Sequence, residues 1–419
     1  MSTVSIHEIK LTRKTKGRWI DAFARKIVHS VLNHLQTGQL MLEEDGEHFA
    51  FGSDNRDSDL VAHIKVNDPA AYTDVLFNGT TGSGESYMLG YWSTPDLLNV
   101  IRLFVSNMAV IEKMDNRFAM VGKLYTALYW AVKKNTKTGS RRNIGAHYDL
   151  GNDFFSLFLD QQMMYSSAIY PHWQSSLEEA AEHKLKTICE KLHLKASDHL
   201  LEIGTGWGGM AIYAAKHYGC KVTTTTISQQ QYEYARQWIE REGLQDRVEL
   251  LLKDYRDLDG QYDKLVSIEM IEAVGHRFYR TYFKQCSRLL KDDGLMLIQA
   301  ITIPDQRYHQ AKRAVDFIQK YIFPGGCLPS HGVIAANVAT NTDLQITDVQ
   351  DITAHYAQTL ADWRHRFLAQ KDTVRQQGFN TTFLKMWEFY LCYCEGGFIE
   401  RVIGTSQFVF AKPGARFAR

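Results

Sequence analysis

Leu200-Leu201-Glu202-Ile203-Gly204-Thr205-Gly206-Trp207-Gly208-Gly209 is the stretch on which the fold turns. An apolar strand over His199–Ile203 runs straight into Gly204 and Gly206, and a helix is expected over Gly208–Tyr218. Glycines at such a junction let the backbone turn sharply and approach a ligand with no Cβ in the way. The G-x-G-x-x-G spacing of the dinucleotide fingerprint is absent, because Gly208 and Gly209 follow Gly206 too closely.

The same rhythm continues downstream. Further strands are expected at Lys221–Ile227, Val248–Leu252, Lys264–Ile268, Leu295–Ile301, Leu344–Ile352 and Ser406–Ala411. Ser228 has the chemistry of an N-cap for a helix ending at Gly243, and another helix is expected around Arg277–Leu290. Alternating strand and helix predicts an α/β fold, a doubly wound parallel sheet covered on both faces.

Upstream the texture changes. Residues 1–125 read as a smaller α+β domain. It opens with an amphipathic helix carrying Trp19, Ile20, Phe23, Ile27, Val31 and Leu35 at helical spacing. Asp45-Gly46 and the Gly79-Thr-Thr-Gly-Ser-Gly84 run read as turns between short strands, and Leu97–Met114 as a helix. Residues 126–142 read as a basic linker holding Lys133, Lys134, Lys137, Arg141 and Arg142. It is either a solvated connector or a patch for anionic headgroups. The domain carrying the glycine turn then spans 143–419.

A chain of 419 residues with 45% hydrophobic residues has material for two sizeable cores, which excludes a disordered or fibrous protein. Lys plus Arg (48) against Asp plus Glu (47) gives +1, so no polyelectrolyte character points to nucleic acid. Six scattered cysteines form no CxxC pair, so neither a disulfide framework nor a metal knuckle is expected. There is no signal-peptide pattern and no apolar run near the ~20 residues of a membrane span. A cytoplasmic protein with reduced thiols is expected.

Glu202 sits two residues before the first glycine, where S-adenosylmethionine enzymes often carry an acid that holds the loop or meets the methionine ammonium. The second strand ends without the acid that usually takes ribose hydroxyls; Thr226, Ser228 and Gln231 supply neutral groups instead. Tyr255 and Arg256, after the third strand, place an aromatic face and polar groups where an adenine would lie.

Several ordered runs carry a family resemblance: His147-Tyr-Asp-Leu-Gly-Asn-Asp-Phe-Phe155, Tyr165-Ser-Ser-Ala168, the glycine turn, Thr226-Ile-Ser-Gln-Gln-Gln231 and Lys253-Asp-Tyr-Arg-Asp-Leu258. Glu269-Met-Ile-Glu-Ala-Val-Gly275, Tyr321-Ile-Phe-Pro-Gly-Gly-Cys-Leu-Pro-Ser330 and, nearer the start, Gly84-Glu-Ser-Tyr-Met-Leu-Gly-Tyr-Trp92 belong to the set. Together they resemble the cyclopropane-fatty-acyl-phospholipid synthases and the related mycolic acid methyltransferases. The resemblance implies a seven-stranded methyltransferase sheet with an N-terminal lipid-handling domain. It implies S-adenosylmethionine as cofactor, an unsaturated membrane phospholipid as substrate, peripheral membrane contact, and often a homodimer.

The implied reaction has a cis double bond attack the sulfonium methyl, with a bound bicarbonate removing a proton before the ring closes. Position by position, Tyr165, Ser166, Glu202, Gly204, Gly206, Thr226, Gln231, Tyr255 and Arg256 match the cofactor contacts. Glu272, Tyr356 and the Ile301 backbone match the bicarbonate shell, with Glu269 a nearby competitor of Glu272. Ser167 and Gln299 stand where that shell usually has cysteine and histidine, which opens an alternative of a methyl- or methylene-branched product. A lipid-binding paralogue without chemistry is the other alternative. Cys394 matches a cysteine often assigned as catalytic, although this chemistry needs no thiol. A carbocation demands a dry aromatic cavity; Phe154, Phe155, Tyr170, Phe317, Tyr321, Phe323, Trp387 and Tyr390 are the candidates.

Overall fold

A computed structural model describes residue 11 and residues 19–52, 59–111, 139–140 and 150–416. The basic linker's Lys133, Lys134, Lys137, Arg141 and Arg142, and His147 to Asp149, lie outside the described residues.

The chain forms two compact units, and they do not follow a single cut in the sequence. Segments Ala314–Ile322 and Arg364–Val402 group with the N-terminal residues, while Phe323–Trp363 and the C-terminal strand group with the glycine-turn region. A boundary near 143 therefore misplaces the helix Thr381–Ile399, which belongs to the first unit. The reason is packing. Gly396 leaves no room for a Cβ beside Ile101, Phe389 packs on Tyr87 at 6.1 Å, and Arg102 donates to Glu400 at 2.7 Å.

The first unit holds a sheet of order β2-β1-β3-β4, from β1 (Gln39–Glu44), β2 (Glu47–Phe51), β3 (Val61–Val66) and β4 (Trp92–Ser93). Asp45 and Gly46, both at positive φ (50° and 83°), close the β1–β2 hairpin as the sequence suggests. The helix Trp19–Leu32 buries Ala24, Val28 and Leu32 and leaves Trp19 81% exposed. The Gly79–Gly84 run is not a turn: it lies inside the helix Ala70–Leu89, kinked at Gly79 (φ 51°). Its other glycines serve close approach. A Cβ on Gly84 would sit 2.5 Å from the Phe317 ring, and one on Gly82 2.0 Å from the Asp74 carbonyl.

The second unit is built on a seven-stranded sheet of order β10-β11-β9-β8-β5-β6-β7. Its strands are β5 (His199–Ile203), β6 (Lys221–Thr226), β7 (Val248–Leu252), β8 (Tyr262–Ile268), β9 (Leu290–Thr302), β10 (Gln345–Asp351) and β11 (Gly404–Ala411). The β7-β6-β5-β8-β9 run is parallel, whereas β11 is antiparallel to both β9 and β10, so the sheet is mixed rather than wholly parallel. Buried apolar clusters line it, one around Leu201, Tyr282 and Phe410 and one around Leu200, Ala211 and Val222. Ser228 caps the helix Gln229–Arg241 by accepting from the Gln231 N–H. The parallel arrangement brings the C-terminal ends of β5, β6 and β8 side by side, the edge at which such sheets bind ligands. Among the described residues no helix is long and apolar enough to cross a membrane.

Candidate active site

The turn after β5 has the geometry its glycines imply. Gly204, Gly206 and Gly208 all sit at positive φ (103°, 53° and 104°), and a Cβ on Gly206 would meet nothing within 4 Å. That open backbone is a cradle. Beside it, Glu202 is buried and accepts from the Thr224 hydroxyl at 2.6 Å, and Thr224 in turn meets the Thr205 hydroxyl at 2.6 Å. Glu202 therefore braces the turn through two threonines. Burial lifts its carboxyl to about 8.

The other cofactor candidates surround the same edge. Thr226 donates to Gln231 Oε1 at 2.9 Å and accepts from the Ser228 N–H, shaping the end of β6. Tyr255 packs edge-on against Tyr282, and its hydroxyl is buried without a partner. Arg256 grips Asp254 with two nitrogens (2.7 and 2.6 Å) and lies over the Tyr255 and Phe278 rings. Tyr165 sits among Phe155, Phe323 and Trp363, at 5.2, 6.2 and 5.3 Å. Trp207, from the glycine turn, packs on Phe155 and donates to Asn152 at 2.7 Å. An open backbone cradle with an unpartnered hydroxyl and aromatic faces nearby fits S-adenosylmethionine.

One residue past β8 the expected shell takes an unexpected form. Glu269 is at its centre. Its Oε1 accepts from the Ser167 N–H (2.9 Å) and the Gln299 amide (2.8 Å), and its Oε2 accepts from the Tyr356 hydroxyl (2.7 Å). Gln299 is oriented by Gln407, whose amide donates to Gln299 Oε1 at 3.0 Å. The Ile301 N–H donates to Glu272 Oε1 at 2.5 Å, while Glu272 Oε2 is buried without a partner. Burial, then the neighbouring Glu269, lifts Glu272 to about 8; burial also raises Glu269.

The structure brings Ser167, Gln299 and Tyr356 onto Glu269 and the Ile301 N–H onto Glu272, whereas sequence reading aimed Tyr356 at an ion shared with Glu272. Lys184 it missed altogether. This fully buried ammonium donates to Ser166 Oγ at 2.8 Å and lies near Glu269, Asp160 and Glu202; burial lowers it to about 8. A lone lysine on a helix gives no signal in sequence beyond its neighbours Ala180, Ala181, Leu185 and Ile188, which mark that face as buried.

Cys394 is in the first unit, and burial pushes its thiol well up, away from the thiolate a nucleophile needs. The aromatic candidates divide too. Phe154, Phe155, Tyr170 and Phe323 belong to the second unit; Phe317, Tyr321, Trp387 and Tyr390 belong to the first. Tyr170 is committed elsewhere, donating to Asp362 at 2.7 Å. Among the described residues no cluster could hold a metal ion.

The sequence model of the mycolic acid cyclopropane synthetase family matches residues 135–408. The chain belongs to this family. As a cyclopropane synthetase family member it is an S-adenosylmethionine-dependent methyltransferase, and its sheet is that of the Rossmann-like methyltransferases. It is 38% identical over 345 residues to the tuberculostearic acid methyltransferase of Mycobacterium tuberculosis, covering 80% of each chain. It is also 38% identical over 365 residues to the cyclopropane-fatty-acyl-phospholipid synthase of Escherichia coli K12, covering 85% of this chain and 91% of that one. Among solved structures it is similar to a mycolic acid cyclopropane synthase complexed with SAH and CTAB. There the identity is 32% and the TM-score 0.61, over 65% of this chain and 98% of the other.

Proposed function

We propose that this cyclopropane synthetase family member adds a methylene from S-adenosylmethionine across the cis double bond of an unsaturated acyl chain of a membrane phospholipid, forming a cyclopropane. The observation that supports this reading most is the apposition, at the ends of β5 and β8, of a glycine cradle and a caged, desolvated carboxylate. S-adenosylmethionine, when bound, supplies a methyl carbon on a sulfonium, and an olefin needs no activation to attack it. What the reaction asks of the protein is dryness and a base.

Gly204, Gly206, Thr226 and Gln231 would hold the cofactor, and Glu202 keeps the turn in shape. The faces of Phe155, Tyr165 and Trp363 would exclude water and meet a passing positive charge. Water would otherwise trap a carbocation as an alcohol.

Bicarbonate, which the family resemblance implies, does not fit the residues present. The Ser167 N–H, the Gln299 amide and the Tyr356 hydroxyl are taken by Glu269, and the Ile301 N–H by Glu272. No step is drawn through it. Cys394, with its thiol held protonated, is given no role.

The test is transfer of label from methyl-labelled S-adenosylmethionine by the purified protein to vesicles of dioleoyl phospholipid, with fully saturated vesicles as control. Label entering only the unsaturated lipid is expected; equal or no labelling contradicts the reading. The proposal includes a cytoplasmic protein in peripheral contact with the membrane, the contact checked by co-sedimentation with anionic liposomes. A homodimer, checked by light scattering, completes the proposal.

A further inference from the structure

We propose that Glu269 is the proton acceptor of the reaction, a carboxylate built into the chain in place of a diffusible anion. This rests on the function proposed above and goes beyond it. The cage around Glu269 consists of donors: a backbone N–H, an amide and a phenol, reaching both carboxylate oxygens. Burial raises this carboxyl, and the all-donor array works against that by favouring the ionised form, since a protonated carboxyl would turn a donor of its own toward the N–H groups.

The donors are themselves held in place. Gln407 fixes the Gln299 amide from one side, and the Gln299 nitrogen also reaches the Ser167 carbonyl at 3.1 Å. Ser167 and Gln299 have no exposed surface, and Glu269 as a residue is half-buried.

Backbone conformation singles out the same residue. Glu269 sits at φ 48°, a left-handed conformation that costs a non-glycine residue about 1–2 kcal/mol. Sites that tolerate such strain cluster where function needs it. The next residue, Met270, packs where a Cβ on Gly204 would be, 3.3 Å away, so Glu269 stands beside the cofactor cradle. Charge divides unequally between the two acids. Glu272, raised to about 8, meets backbone N–H groups alone and holds its proton at neutral pH, whereas Glu269 has an amide and a phenol besides its backbone donor, and a buried ammonium nearby.

The step balances. The π pair of the double bond becomes the bond to the methyl carbon as the C–S pair departs on sulfur, leaving a neutral thioether and a positive charge on the acyl chain. The Glu269 carboxylate takes one proton from the transferred methyl, and that C–H pair closes the ring. Glu269 ends as a carboxylic acid and must lose its proton before the next turnover.

The experiment compares the wild-type enzyme with E269Q and E269G in buffer stripped of carbon dioxide, with and without added bicarbonate. Wild-type turnover is expected to change less than about twofold on adding bicarbonate. E269Q is expected to lose about 10²–10⁴-fold in kcat, the range for a positioned proton-transfer group, while its circular dichroism and its S-adenosylmethionine Kd hold. E269G suits the left-handed backbone and frees the donors, so it should gain binding of ¹³C-bicarbonate by NMR and recover at least tenfold in turnover with it. Three results overturn the proposal: a wild-type enzyme dependent on bicarbonate, an E269Q enzyme within threefold of wild type, or an E269G enzyme that binds cofactor normally yet is not rescued. A wild-type enzyme that transfers no label to any unsaturated lipid would instead overturn the function beneath it.

Discussion

Glu202 illustrates how a residue assigned to a ligand can act on the protein. Its carboxyl is buried against Thr224 and raised by burial to about 8, so at neutral pH it carries a proton that the unfolded chain has released. The stability this group confers is fully present below its ordinary value near 4.5 and is lost as pH rises through about 8. E202Q, neutral at every pH, should therefore flatten the decline of Tm between about pH 5 and 8. A wild-type Tm that falls no more steeply than that of E202Q contradicts this. Residue roles were the least legible part of the sequence. An acid at 269 and an acid at 272 look alike in a string of letters. What separates them is that one meets an amide and a phenol besides a backbone N–H, and the other backbone N–H groups alone.

The β5 turn, as an element, was readable almost to the residue, because strand periodicity, glycine and a helix start all agree there. The structure adds which glycine has open space beside it. A Cβ on Gly204 would press on Met270, while one on Gly206 would enter open space. G206A should cost about 1–2 kcal/mol in stability from its left-handed backbone, yet lower S-adenosylmethionine affinity at least tenfold, measured by denaturant unfolding and calorimetry. Unchanged affinity would remove the cradle from the site. The helix Ala70–Leu89 was the element sequence reading lost. Three glycines in six residues read as a turn, and only the distant Phe317 ring explains why Gly84 has no side chain. Local propensity had no access to that contact.

At the scale of the whole molecule the alternation of strand and helix foretells the α/β sheet, but neither its antiparallel β11 nor the division into units. Glu85 pairs with Lys320 and accepts from Tyr321 at 2.6 Å, and the helix Thr381–Ile399 packs on the N-terminal helices. The first unit therefore closes only when segments some 230 and 300 residues downstream return to it. A fragment of residues 1–132 should lack a cooperative thermal transition, whereas the full chain should show one; a cooperative fragment would refute the discontinuous unit. The chemistry itself is decided by where the last proton leaves. Purified enzyme, ¹³C-methyl S-adenosylmethionine and dioleoyl phospholipid vesicles, followed by proton-carbon NMR of the released acyl chains, reads that directly. The account predicts the label in high-field ring methylene signals; label in a branched methyl or exocyclic methylene would contradict it.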